Sequence, residues 1–174
     1  MPPNQWPSNV QYISTCSYHF SVPKDMRAFL ADGATSVEKT NSQSLVVIRR
    51  ISSPTHPAKG QFGLFSTSKI PTKTHIVDYI GEIHCDERED SDYDLSLYRD
   101  GDLSVGIDAS RMGNEGRFVN DYRGVQDKPN AICVDARTRS GLTMRIESCR
   151  TIKKGEEILV SYGKAWWQAR RLAE

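Results

Sequence analysis

Short runs of β-branched and aromatic residues, separated by turn-forming clusters, set the rhythm of this chain. Residues 44–51 are the clearest case. Leu45, Val46, Val47, Ile48 and Ile51 surround Arg49 and Arg50, a composition that predicts a strand. Residues 52–60 hold Pro54, Pro57 and Gly60 and read as a loop. Residues 62–66 and 75–83 read as two further strands, divided by a turn around Pro71. Shorter strands are expected over 103–107, 131–135 and 142–148, and an extended segment over 150–160 after a turn at Lys154-Gly155. Helix is expected in three places. One runs from Pro23 to Ala31 and is ended by Gly33; one short helix lies within 110–119; a last one follows Lys164, where Ala, Gln, Arg and Leu favour it. Residues 1–15 start polar and proline-rich and are expected to be loosely ordered. Many short strands with little helix argue for a β-dominated domain.

The length of 174 residues fits one domain with a small flank, which divides into a partly ordered N-terminal flank over 1–44, the domain over 45–164 and a short tail over 165–174. The formal net charge of +1 gives no sign of direct nucleic-acid binding and no general pull on a basic partner. Any such pull must be local. Asp86, Glu87, Glu89, Asp90, Asp92 and Asp94 form an acidic strip that either serves this purpose or is a solvated loop. No run of about 18 apolar residues exists, so no membrane span is expected. The start of the chain lacks the basic and then apolar pattern of a secretion signal. Cys16, Cys85, Cys133 and Cys149 are widely spaced, which argues against a structural zinc site and for buried free thiols in an intracellular, reducing compartment.

Four segments in fixed order carry the chemistry. They are Lys59-Gly60-Gln61-Phe62-Gly63-Leu64-Phe65, Asp78-Tyr79-Ile80-Gly81-Glu82, Gly113-Asn114-Glu115-Gly116-Arg117-Phe118-Val119-Asn120-Asp121-Tyr122, and Gly155-Glu156-Glu157-Ile158-Leu159-Val160-Ser161-Tyr162-Gly163. Each alone is a common turn or strand. Together and in this order they resemble the SET domain of protein-lysine methyltransferases, in its compact, fungal-type form without zinc-binding cysteine clusters. The resemblance implies a β-clip fold of several small twisted sheets, few short helices and a C-terminal pseudoknot near Tyr162. It implies S-adenosylmethionine as cofactor, S-adenosylhomocysteine as product and no metal.

The resemblance also assigns roles. Gly60, Gln61, Phe62 and Gly63 form the turn whose main chain touches the amino-acid end of the cofactor. Gln61 stands where glycine is common, so Gly60 and Phe62 are expected to make the contacts. Asn120 binds the same end, with Arg117 and Phe118 before it. Asp121 stands where the family usually has histidine. Tyr162 is the expected catalytic residue, with Tyr79 lining the lysine channel beside it. Tyr93 is expected at the cofactor, with Tyr98 as its alternative. Val160 stands where relatives carry Phe or Tyr in the channel. Trp166 and Trp167 replace the zinc cluster and are expected as a channel wall, as core or as a dimer contact. Glu156 and Glu157 read as structural charges.

The chemistry asks for such a site. A lysine amine has a reference pKa of about 10.4 and attacks only when neutral. Burial and a nearby positive charge both lower that value, and holding the reacting atoms in line lowers the barrier. Neither a metal nor a covalent enzyme intermediate is needed. The implied substrate is a protein with an exposed lysine, with a histone tail, that of histone H3 first, as the leading expectation. This would make the protein a nuclear chromatin regulator. A SET-fold module that binds peptide without turnover, or a methyltransferase of a non-histone protein, are the alternatives.

Overall fold

The computed structural model describes residues 1–32, 45–138 and 141–171. In chain order these residues form β1 (Gln11–Tyr12), β2 (Ser17–Tyr18), α1 (Lys24–Ala31), β3 (Val46–Arg50), β4 (Phe62–Ser66), β5 (His75–Tyr79), β6 (Glu82–His84), β7 (Asp94–Asp100), β8 (Leu103–Asp108) and β9 (Met112–Gly113). A single 3₁₀ turn, Glu115–Phe118, precedes β10 (Asn120–Asp121), β11 (Ala131–Thr138), β12 (Gly141–Ser148), β13 (Leu159–Val160) and α2 (Lys164–Arg171). Gly33 and Ser44, expected to end the first helix and begin the first long strand, lie outside the described residues.

The strands make small sheets. β3 pairs with β4, β11-β12-β5 form a three-stranded sheet, and β2-β6-β8-β7 a four-stranded one. Two short parallel pairs, β1 with β9 and β10 with β13, tie distant parts of the chain together. The β-branched run that predicted β3 supplies its buried face: Val46 and Ile48 face the core while Arg49 and Arg50 face out. Ile48, Leu64, Ile70, Ile76, Ile152 and Ile158 meet in one core cluster. Leu30 of α1 joins Ile83, Val105 and Ile107 in a second, and Tyr79 touches both. Each such aliphatic side chain taken out of water stabilises by about 1.5–3 kcal/mol.

Residues 75–83 are two strands, not one. β5 pairs with β12, whereas β6 pairs with β8 in a different sheet. The break falls at Gly81, whose missing side chain lets the backbone lie against the Asp108 carbonyl. β7 is absent from the strands the pattern predicts, because its sequence starts in the acidic strip and alternates weakly. It is recruited by β8, with a bulge between Ser96 and Tyr98. The helix expected within 110–119 is the one 3₁₀ turn, capped by the Asn114 side chain accepting from the Gly116 amide.

Residues 1–15 are docked rather than loose. Trp6 donates its indole N–H to the Val10 carbonyl at 2.7 Å and stacks edge-on against Tyr12 and Phe118. The segment around β13 is held from both sides. Ile158 donates to the Leu64 carbonyl, while Tyr122 donates to Val160 and Asn130 to Leu159. The fully buried Asn130 side chain adds two more bonds, to the Glu157 carbonyl and from the Leu159 amide. This two-sided hold fixes the chain just before Tyr162.

Candidate active site

A cavity of 730 Å³ gathers Gly60, Gln61, Phe62, Tyr93, Arg117, Asn120, Asp121 and Tyr162 on its wall. Apart from Tyr93, these come from three of the four sequence segments, brought together by β4, the 3₁₀ turn, β10 and the end of β13. Gly60 has φ +84°, a left-handed value that glycine adopts freely, and no heavy atom lies within 4 Å of where a Cβ would stand. Gly63 is placed differently from the expectation. A Cβ there would stand 2.6 Å from Glu157 Oε1 and 3.2 Å from Asn120 Nδ2, so this glycine makes room inside the wall. Pro7, Asn9 and Val10 of the N-terminal segment complete one side of the cavity.

A second, narrow cavity of 60 Å³ shares Asp92, Tyr93, Arg117, Tyr162 and Trp166 with the first. Tyr79, Cys133, Ile146 and Val160 line the rest of it, with Asp94 and Leu95 alongside. Tyr98, the alternative to Tyr93, is not there. It stacks on Phe29 of α1 with ring centroids 5.0 Å apart and belongs to the second core. Tyr93 borders both cavities, whereas Tyr98 borders neither.

Both phenols at the junction are committed donors. Tyr79 gives its hydrogen to the Tyr93 carbonyl at 2.7 Å, and Tyr162 gives its hydrogen to the Val119 carbonyl at 2.8 Å. Burial raises the pKa of each well above the ordinary tyrosine value; Tyr162 adds to the effect at Tyr79, and Asp121 and then Tyr93 add to it at Tyr162. Both therefore remain neutral at physiological pH. Burial alone pushes the Cys133 thiol up to about 11, so it lines the narrow cavity as an uncharged, apolar group.

Arg117 is buried, donates to the Ala109 carbonyl at 2.9 Å and lies 4.2 Å over the Tyr93 ring, fixing that ring between the two cavities. Asp121 is the hub of the other side. Its carboxylate accepts from the Arg123 amide and guanidinium, both at 2.8 Å, from the Tyr162 amide at 2.8 Å and from the Trp167 indole at 3.3 Å. Trp166 packs edge-on against Tyr162 at 4.9 Å and against Trp167 at 5.0 Å. Both indoles thus face the site, Trp166 at both cavities and Trp167 at the larger.

Two more residues bear on the site, one of them Glu157, which the sequence presents only as a structural charge. Glu157 is buried behind Asn120, and His56 contacts it from the proline-rich loop. The double glutamate after Gly155 was a signal for the first, since a carboxylate inside a threaded segment must find donors. Nothing in the sequence marked His56. Among the described residues no group of three or more His, Cys, Asp or Glu side chains is arranged to hold a metal ion.

The model of the SET domain family matches residues 61–163. Histone-lysine N-methyltransferase EHMT1 of Mus musculus is 28% identical over 114 residues, covering 63% of this chain and 9% of that protein. The Homo sapiens protein of the same name is 29% identical over 111 residues, covering 61% and 8%. The chain thus spans less than a tenth of the length of these curated relatives. Among solved structures, ATXR5 in complex with histone H3.1 mono-methylated on R26 shares the fold with a TM-score of 0.64 at 18% identity, over 88% of this chain and 81% of that one. Polycomb Repressive Complex 2 of Chaetomium thermophilum gives 0.54 at 22% identity, over 68% and 15%. With the family model matching more than half of its residues, in the segments that build both cavities, this chain belongs to the SET domain family.

Proposed function

We propose that this protein is an S-adenosylmethionine-dependent protein-lysine N-methyltransferase, with a histone tail, that of histone H3 first, as its substrate. The observation that carries the reading is the shared wall. A roomy, half-polar cavity and a narrow one meet at Tyr162, so a cofactor and a lysine entering from different sides would meet there.

The residues present fit the cofactor. Open backbone at Gly60, the Asn120 amide and buried Arg117 supply polar contacts, and Phe62 and Trp167 supply flat apolar surface. When bound, S-adenosylmethionine supplies a methyl group on a positively charged sulfur. The chain's own residues prepare the acceptor. Asp92 and Asp94 at the narrow cavity favour entry of a cationic lysine. Val160, Cys133 and Ile146 then strip its water, which lowers the amine pKa toward the neutral, attacking form. Tyr162 has spent its hydrogen on Val119, so its oxygen is left as an acceptor that turns the amine lone pair toward the larger cavity. Trp166 and Trp167 exclude water at the junction.

Asp121 in the histidine position and the missing zinc cluster are the features that favour a binding module without turnover. The Asp121 carboxylate, however, is fully engaged with four donors and holds the Tyr162 backbone in place, which supports the enzyme. On this reading the protein works in the nucleus. Tyr162→Phe removes only the hydroxyl, both its accepting oxygen and its hydrogen bond to Val119. It should lower methyl transfer by about a hundredfold or more while leaving the dissociation constant for S-adenosylhomocysteine nearly unchanged. Near wild-type turnover of folded Tyr162→Phe would contradict the assignment.

A further inference from the structure

On the wall of the larger cavity His56 meets Glu157 behind it, with side chains 7% and 8% exposed and Nε2 to Oε2 at 3.0 Å. The hydrogen on this contact can be located. The Ala58 amide donates to His56 Nδ1 at 3.0 Å, and a nitrogen that accepts carries no proton. The ring hydrogen is therefore on Nε2 and is given to Glu157 Oε2.

The other oxygen of Glu157 acts on Asn120. Oε1 accepts from Asn120 Nδ2 at 2.9 Å, and the same amide nitrogen also donates to the Phe62 carbonyl at 3.3 Å. Both amide hydrogens are thereby used inside the wall, and the carbonyl Oδ1 is what Asn120 has left for the cavity. Glu157 cannot easily move aside. Its backbone bridges to Phe65, its carbonyl accepts from Asn130 at 2.7 Å, and Gly63 is the residue whose lack of a side chain admits its carboxylate.

We infer that His56 and Glu157 are positioning residues that lock the Asn120 amide as an acceptor, so that this end of the cavity selects a ligand bearing an ammonium group. The inference rests on the reading of the cavity as the cofactor site. With His56 removed, Glu157 Oε2 loses its donor and the carboxylate is free to turn from Asn120. The Asn120 amide can then rotate and present its N–H groups to the ligand's own N–H groups, which repel them. His56 borders the cavity while Glu157 does not, and through Glu157 the pair sets which atom of Asn120 faces the ligand.

Calorimetry with two ligands tests this. One is S-adenosylhomocysteine. The other is its desamino analogue, with hydrogen in place of the α-amino group. Wild type should bind both. His56→Phe should weaken S-adenosylhomocysteine about tenfold and shift the analogue by less than about twofold. His56→Gln, whose side-chain N–H can still reach Glu157, should recover most of the loss. If His56→Phe fails to fold in a thermal melt, Glu157→Gln, of nearly the same shape, should show the same selective loss. Equal weakening of both ligands by the variants would overturn the inference while leaving the cofactor reading intact. A wild type that binds neither ligand would overturn both.

Discussion

At Tyr162 the hydrogen bond to Val119 matters as much as the residue itself. A phenol that donates to a backbone carbonyl cannot also donate to an incoming amine, so its oxygen has one role left. Tyr79 is fixed in the same way through the Tyr93 carbonyl. The neighbouring Val160 is buried, lines the narrow cavity and brings no hydroxyl. An amine that already carries a methyl group needs that extra room. Val160→Tyr should therefore shift products toward monomethyl-lysine, which mass spectrometry of product mixtures at equal turnover reads directly. A wild type that yields only monomethyl-lysine after long incubation would place the restriction at another residue. The meeting of these side chains at one cavity was legible in the sequence because motif order implies it. That Gly63 makes room for Glu157, and that Tyr98 packs on Phe29, was not, since both depend on which distant segment lies opposite.

Among the elements, α2 is the one on which the site depends and the core does not. Its indoles meet Tyr162, Asp121 and Arg123, and Arg123 lies 5.7 Å from the Trp167 ring and 5.0 Å from Tyr122. A carboxylate in place of histidine thus ties the final helix to β10 with no metal-binding cysteines. Deleting residues 165–174 should abolish methylation yet leave most of the β structure, because the buried residues of both core clusters precede this helix. Circular dichroism beside an activity assay checks this. Full activity of the truncated protein would mean that another segment closes the site. The N-terminal segment is the contrasting case. Its composition suggested looseness, yet Trp6 finds Phe118 and β1 pairs with β9 about a hundred positions on. A propensity argument is local, and contacts at that separation are invisible to it. β7 was hidden for a different reason: its pairing with the neighbouring β8 outweighs an acidic and weakly alternating sequence.

On the scale of the whole molecule, small sheets and two short parallel pairs surround one junction, and no single sheet contains it. That dispersal explains why the motifs lie far apart in sequence and why their order was the strongest signal. Fold class followed from strand density and turn spacing, and the threaded segment from the family resemblance, since general chain topology disfavours threading. The central claim is that the two cavities bring a methyl donor and a lysine together at Tyr162. The most direct measurement is mass spectrometry of histone H3 peptides incubated with S-adenosylmethionine and either wild-type protein or Tyr162→Phe. The account expects methyl mass increments on lysine with wild type and a near-complete loss of them with the variant. Wild-type protein that binds S-adenosylhomocysteine but adds no methyl group to any lysine, in these peptides or in a wider protein panel, would contradict it.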